Sequence, residues 1–228
     1  MGHSLGVAML GGNPLDGRKP HDFYATPKDV TLALLAKVGH RLRGPVFEPA
    51  CGDGAICRVL QDELGLETIG RDLHDRGFGD HGGGHDLLQL EALLAAEVIT
   101  NPPFDIAPKV IDRVMGLRPR FFALLLKGTF WHAKTRLPLW QRYPPAAVYP
   151  LTWRPDFENK GRPTLEMCWT VWDAEHVGPT VYEMLPRPQG YGPPPRIPAA
   201  PGARKRKRKP AAIPAVALQE LALLPAAA

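Results

Sequence analysis

Asn101-Pro102-Pro103-Phe104 puts a primary amide, two rigid rings and an aromatic face into four consecutive residues. The prolines lock the backbone and stop the preceding run Val98-Ile99 from continuing as a strand. A stiff platform of this kind can accept hydrogen bonds from an amine and stack on a flat ring at the same time. The second stretch with chemical content is Phe47-Glu48-Pro49-Ala50-Cys51-Gly52-Asp53-Gly54-Ala55. Val46 and Phe47 read as the end of a buried strand. Gly52 and Gly54 permit a tight turn and a close backbone approach. Ile56, Val59 and Leu60 recur at helical spacing, so a helix follows. Strand, glycine turn and helix leave backbone N–H groups at a crevice mouth, where nucleotide-like cofactors bind. The spacing departs from the G-x-G-x-x-G dinucleotide fingerprint, because Ile56 and Cys57 stand where its third glycine would fall.

These two stretches need a scaffold, and the rest of the chain supplies its signals. Asp22-Phe23-Tyr24-Ala25-Thr26-Pro27 precedes a helix whose apolar face is Val30, Leu32, Leu34, Leu35 and Val38. Thr26 reads as its cap and Pro27 as its first residue, with Phe23 and Tyr24 as a hydrophobic staple or as cofactor contacts. Thr68–Leu73 predicts a second strand ending at Asp72, about 20 residues past the glycine turn, the spacing at which a carboxylate reaches a ribose diol. His74–His85 reads as a glycine-rich loop, its histidines lacking metal-ligand spacing, so no metal is expected. Leu90–Ala96 predicts a short helix, Glu97–Thr100 a strand, Ala107–Leu117 a helix and Arg120–Lys127 a central strand, apolar throughout because both its faces are covered. Thr164–Trp172 alternates and predicts a closing strand. Strands alternating with helices predict an α/β fold, a doubly wound and mainly parallel sheet.

Residues 128–163 break this pattern. Trp131, Trp140, Trp153, Tyr143 and Tyr149 alternate there with Lys134, Arg136, Arg142 and Arg154. Rings for bases and cations for phosphates suit a nucleic-acid surface, and a cap of tryptophans packed on the sheet explains the same residues. Residues 1–21 are glycine-rich and read as a lead-in, residues 22–184 as the folded domain, and residues 185–228 as a proline-rich tail. Arg204–Lys209 is six cations in succession, suited to tethering on DNA, to solubility or to nuclear import. The 228 residues carry a net charge of +5, which suits a polyanionic partner. An odd set of three cysteines and no secretory pattern predict a reducing cytoplasm; no apolar run has membrane-spanning length. Nothing demands an obligatory protein partner.

Taken in this order, the glycine turn and Asn101–Phe104 resemble the class I S-adenosylmethionine-dependent N6-adenine DNA methyltransferases. The small phage and prophage type, acting in a bacterial or phage-infected cell, is the most similar. The resemblance implies a Rossmann-like sheet with a C-terminal antiparallel hairpin, and S-adenosyl-L-methionine as cofactor. It implies that Asn101, Pro102 and Phe104 are catalytic in the manner of an adenine-specific DNA methyltransferase. Cofactor contacts are implied from Phe23, Tyr24, Thr26, Pro27, Glu48, Pro49, Ala50, Gly52, Gly54, Asp72, Leu73, Asp86, Leu87 and Asn101, with Asp86 on the adenine amine and Asp80 competing for that part. Pro103, Phe104, Lys127, Trp131, Arg136, Trp153 and Arg154 are the expected substrate contacts, on DNA or possibly RNA. The same platform serves methyltransferases of RNA amines and of protein glutamine, and a non-catalytic binding module is a third reading.

Overall fold

The computed structural model describes residues 24–79, 83–159, 161 and 163–191. The lead-in, Phe23, Asp80 and the cationic run Arg204–Lys209 lie outside them. A seven-stranded sheet forms the middle layer. In chain order its elements are α1 (Lys28–Val38), β1 (Val46–Glu48), α2 (Ala55–Leu64), β2 (Thr68–Gly70), β3 (Glu97–Thr100), α3 (Ala107–Gly116), β4 (Phe121–Lys127), α4 (Leu137–Arg142), β5 (Ala147–Pro150), β6 (Met167–Asp173) and β7 (Val181–Tyr182). The sheet order is β2-β1-β3-β4-β6-β5-β7. β6 runs antiparallel to both β4 and β5, and the other pairs are parallel. The doubly wound, mainly parallel sheet with an antiparallel C-terminal part is therefore as expected.

β4 explains the layering. Phe121, Ala123 and Leu125 face a core built with α1 and α2, while Phe122, Leu124 and Leu126 face a core built with α3. A strand buried on both faces carries apolar residues at every position, hence the unbroken run in the sequence. Trp169 on β6 lies under α1 and donates its indole N–H to the carbonyl of Val30 at 3.0 Å, fixing that helix on the sheet.

Three expectations need correcting. Leu90–Ala96 forms bends and no helix. Of that stretch only Ala95 is buried, with Leu90 and Leu93 packed partly on the same core, and a helix this short is marginal because nucleation is costly. The helix at Thr26 is capped by Pro27 and begins at Lys28, with no side-chain cap bond. The packing also runs past the boundary at 184: Leu185 is buried, bridged to Leu151, and the Arg187 guanidinium binds Asp29 at 2.8 Å.

An ion network closes the edge of the sheet opposite the glycine turn. Glu97, only 3% exposed, accepts from the Arg43 amide at 2.9 Å and from the Arg120 guanidinium. Arg120 also binds the carbonyl of Arg41 at 2.8 Å. Arg120→Met strands the Glu97 carboxylate and should cost about 3–5 kcal/mol in urea unfolding, most of it recovered by adding Glu97→Leu. An unchanged midpoint for the single variant contradicts this placement.

Candidate active site

The carboxyl ends of β1, β2, β3 and β4 lie on one edge of the sheet. β1 continues to β2 on one side, whereas β3 pairs on its other side. The strand order thus reverses between β1 and β3, and a crevice opens outside their ends. The glycine turn leaves β1 on one lip, and Asn101–Phe104 leaves β3 on the other.

The turn has the backbone its glycines predict. Gly52 and Gly54 take φ values of 55° and 82°, and Gly54 starts α2. The Gly52 amide donates to Asp72 Oδ2 at 2.8 Å, and the His74 amide to Asp72 Oδ1 at 2.8 Å. Asp72 therefore pins the turn across the β1–β2 seam. The amides of Gly84 and His85 donate to the carbonyls of Leu73 and Asp72, so the intervening loop returns to the same lip. Asp86 follows it, but caps its own short turn: its oxygens accept from the Leu88 amide at 2.9 Å and the Gln89 side chain at 3.1 Å. Leu87 is buried, and Leu73 is exposed.

Two features of this lip escape sequence reasoning. The Phe78 ring sits on the turn: a Cβ at Gly54 would lie 2.3 Å from it, and the Arg58 guanidinium covers the ring at 5.1 Å. Its only signal is an aromatic residue between Gly77 and Gly79. The second is a buried brace. Glu48 is 2% exposed and accepts from the Cys57 thiol at 3.0 Å, so its side chain points inside. Desolvation, followed by the nearby Asp72 and Asp53 charges, holds the Glu48 carboxyl well above its usual 4.5. A raised value in the folded state means the contribution is intact below about pH 4.5 and is lost as pH rises through the folded value. Glu48→Gln should therefore gain melting temperature relative to the wild type between about pH 5 and pH 8. A constant difference across that range rejects the assignment.

On the other lip, Pro102 is buried and Pro103 accepts from the Ile106 amide at 3.3 Å, setting the rigid turn. The Asn101 side chain donates through Nδ2 to Thr26 Oγ1 at 3.0 Å. Its Oδ1 is buried and has no hydrogen-bond partner among the described residues. Thr26 thus belongs to the platform, and its expected capping role gives way to this contact. Lys127, at the end of β4, holds its ammonium 5.3 Å from the centre of the Phe104 ring.

The expected substrate residues divide into two groups. The β5–β6 connection, 151–166, rises from the same edge as Lys127, because Lys127 pairs with Met167 and Pro150 with Cys168. It carries Trp153 and Arg154; Arg154 binds Glu166 at 2.5 Å, and Arg187 lies 5.9 Å from the Trp153 ring centre. Residues 128–146 instead pack on the α3 side of the sheet. Trp131 is held edge-on by Phe130 and Trp140 and bonds Thr170 at 3.1 Å, while Arg136 covers Phe130 at 4.9 Å. Those contacts place Trp131 and Arg136 in the packed cap. A cleft of about 370 Å³ lined by Leu88, Lys109, Asp112 and Arg113 lies against α3 and contains none of the site residues.

No protein-family model matches the sequence, and no curated protein matches it. Solved structures do match the fold. A Listeria monocytogenes protein assigned to the class I S-adenosylmethionine-dependent methyltransferases superposes with a TM-score of 0.51 at 15% identity, over 79% of this chain and 71% of its own. A Pyrococcus horikoshii protein assigned as an RNA methyltransferase gives 0.50 at 13% identity, over 75% and 98%. A modification subunit assigned to a type I restriction enzyme of Vibrio vulnificus gives 0.50 at 14% identity, over 74% of this chain and 48% of that subunit. The chain thus spans about half the length of that last protein. The fold is the Rossmann-like fold of class I methyltransferases. Among the described residues no helix is long and apolar enough to cross a membrane.

Proposed function

We propose that this protein is an S-adenosyl-L-methionine-dependent methyltransferase that modifies the exocyclic N6 amine of adenine in DNA. The observation that carries the reading is the Asn101 amide. One end is tied to Thr26 while the other, a buried acceptor, has no partner among the described residues. A buried acceptor without a donor is costly unless a ligand completes it. An amine supplies that donor.

The glycine turn fits the cofactor: two positive-φ glycines make the tight turn that ends β1 at the crevice, and Asp72 is pinned beside them. Gly52, Gly54 and Asp72 would hold it, with Tyr24 and Pro27 across the crevice. When bound, S-adenosyl-L-methionine supplies a methyl group on a sulfonium, an electrophile that needs no metal. The chain's part is to prepare the nucleophile. An adenine amine is poorly nucleophilic because its lone pair is delocalised into the ring. Asn101 Oδ1 and the Pro102 carbonyl accept its two hydrogens, favouring a pyramidal nitrogen whose lone pair is released for attack. Phe104 stacks on the base, and Lys127 and Arg154 meet phosphate. A duplex must surrender its base from the stack to reach this edge, whereas a single strand avoids that cost.

DNA is favoured by the net positive charge and by the likeness to a restriction-system modification subunit. The test is transfer of labelled methyl to single- and double-stranded DNA, to RNA and to a glutamine peptide of matched concentration. Label in DNA supports the reading. Label confined to RNA or to peptide overturns the substrate, and none anywhere overturns the activity.

A further inference from the structure

We propose that the cleft along α3 is a second nucleic-acid contact, a cradle for backbone phosphates of the strand whose base enters the crevice; this rests on the nucleic-acid part of the reading just given. The cleft has a volume of about 370 Å³ and is lined by Leu88, Lys109, Asp112, Arg113, Gly116 and Leu117. Lys109 and Arg113 stand four residues apart on α3, so they share one face of the helix, about 6 Å apart along its axis. Among the described residues neither side chain forms an ion pair or a hydrogen bond, and Arg113 Nε is covered with no partner. The one carboxylate of the lining, Asp112, is engaged by Arg142 at 2.9 Å. The cleft is left with two cations that no carboxylate matches.

Charge and position choose the occupant. A sugar–phosphate strand offers an anion at every nucleotide, with apolar sugar faces beside it, and the lining joins Lys109 and Arg113 to Leu88 and Leu117. The cleft also begins where the platform ends. The Ile106 amide meets the Pro103 carbonyl, α3 starts at Ala107, and Lys109 lies in its first turn, five residues after Phe104. β3 and β4 are parallel and α3 connects them, so the helix runs away from the edge that carries the crevice. Lys109 is thus near the platform, with Arg113 one turn further on. Neighbouring cations are occupied elsewhere: Arg142 meets Asp112, and Arg136 covers the Phe130 ring.

The test is binding of a fluorescently labelled oligonucleotide to the full chain across a salt series. Lys109→Gln and Arg113→Gln should each lower the slope of log affinity against log salt by about 0.9 on a duplex or about 0.7 on a single strand. The double variant should raise Kd about tenfold at low salt. Arg113→Lys keeps the charge and should keep the slope of the wild type. Lys37→Gln removes the same charge from α1, on the opposite face of the sheet, and should leave the slope unchanged. Arg204–Lys209 is common to every variant, so its share cancels in the comparison. Lys109 is exposed, and Lys109→Gln alone carries the test if Arg113→Gln melts early.

A wild-type slope in the variants overturns the proposal. So does an equal loss in Lys37→Gln, which would leave net charge alone at work. An acidic peptide supplies a second arm: if Lys109→Gln and Arg113→Gln weaken its binding and leave the oligonucleotide unaffected, the cleft is a peptide site and the proposal fails. If the wild type binds no oligonucleotide, the cleft and the nucleic-acid reading fall together. If the slopes respond as stated while no substrate takes label, the methyltransferase reading fails and the cleft stands.

Discussion

Asn101→Ala is expected to lower kcat by about a hundredfold or more while leaving S-adenosyl-L-methionine affinity nearly unchanged. The asymmetry follows from where the Asn101 oxygen acts. In the proposed reaction it accepts, in the ground state, one hydrogen from a weakly polar amine. As the nitrogen pyramidalises and gains positive charge, the same contact strengthens, so its loss is felt mostly in the transition state. The amide's other end bonds Thr26 and reaches no part of the glycine turn, so the binding lip is left intact. Single-turnover transfer and calorimetry on the same preparation check both halves. Equal losses in kcat and in cofactor affinity would mean that Asn101 holds the crevice together instead of acting on the amine.

Gly54→Ala should be severely damaging, costing roughly 2–6 kcal/mol of stability and most of the cofactor affinity. Two effects add. The φ of 82° strains any residue with a Cβ, and that Cβ would stand 2.3 Å from the Phe78 ring. The ring cannot withdraw freely, since Arg58 covers it and Gly70 lies close to it on β2. Phe78→Ala in the same chain should return the steric part and leave the backbone part, so the double variant should melt above Gly54→Ala alone. Thermal melts and calorimetry read the outcome. A Gly54→Ala protein with wild-type stability would show that Phe78 does not rest on the turn.

What could be read in advance was local. The glycine turn, the proline platform and the apolar central strand each announce themselves within ten residues, and each forms where expected. The contacts that turn these pieces into a site join distant residues and leave no local mark. Thr26 was legible as a helix cap because threonine before Pro27 is a common entry. Its hydroxyl instead bonds Asn101, and α1 starts without a side-chain cap. Trp131 and Trp153 look alike in sequence, two rings among cations, and separate only when the sheet decides which face each joins. Leu90–Ala96 has strong helix formers and packs Leu90, Leu93 and Ala95 on the α3-side core, yet it forms bends, so propensity alone misleads there. Asp86 shows the same limit: its position suits a ligand, and nothing local in the sequence shows that its oxygens also cap a short turn.

The central claim is that the Asn101 platform methylates an exocyclic amine of adenine, and the product nucleoside reports on this directly. Oligonucleotides containing all four bases are incubated with S-adenosyl-L-methionine and the purified full chain, digested to nucleosides and resolved by mass and retention. Parallel reactions use Asn101→Ala. The predicted result is N6-methyladenosine in the deoxy series from the wild type, with a yield about a hundredfold lower from the variant. Methyl groups on cytosine or on a ring nitrogen, or equal yields of N6-methyladenine from both proteins, would contradict it.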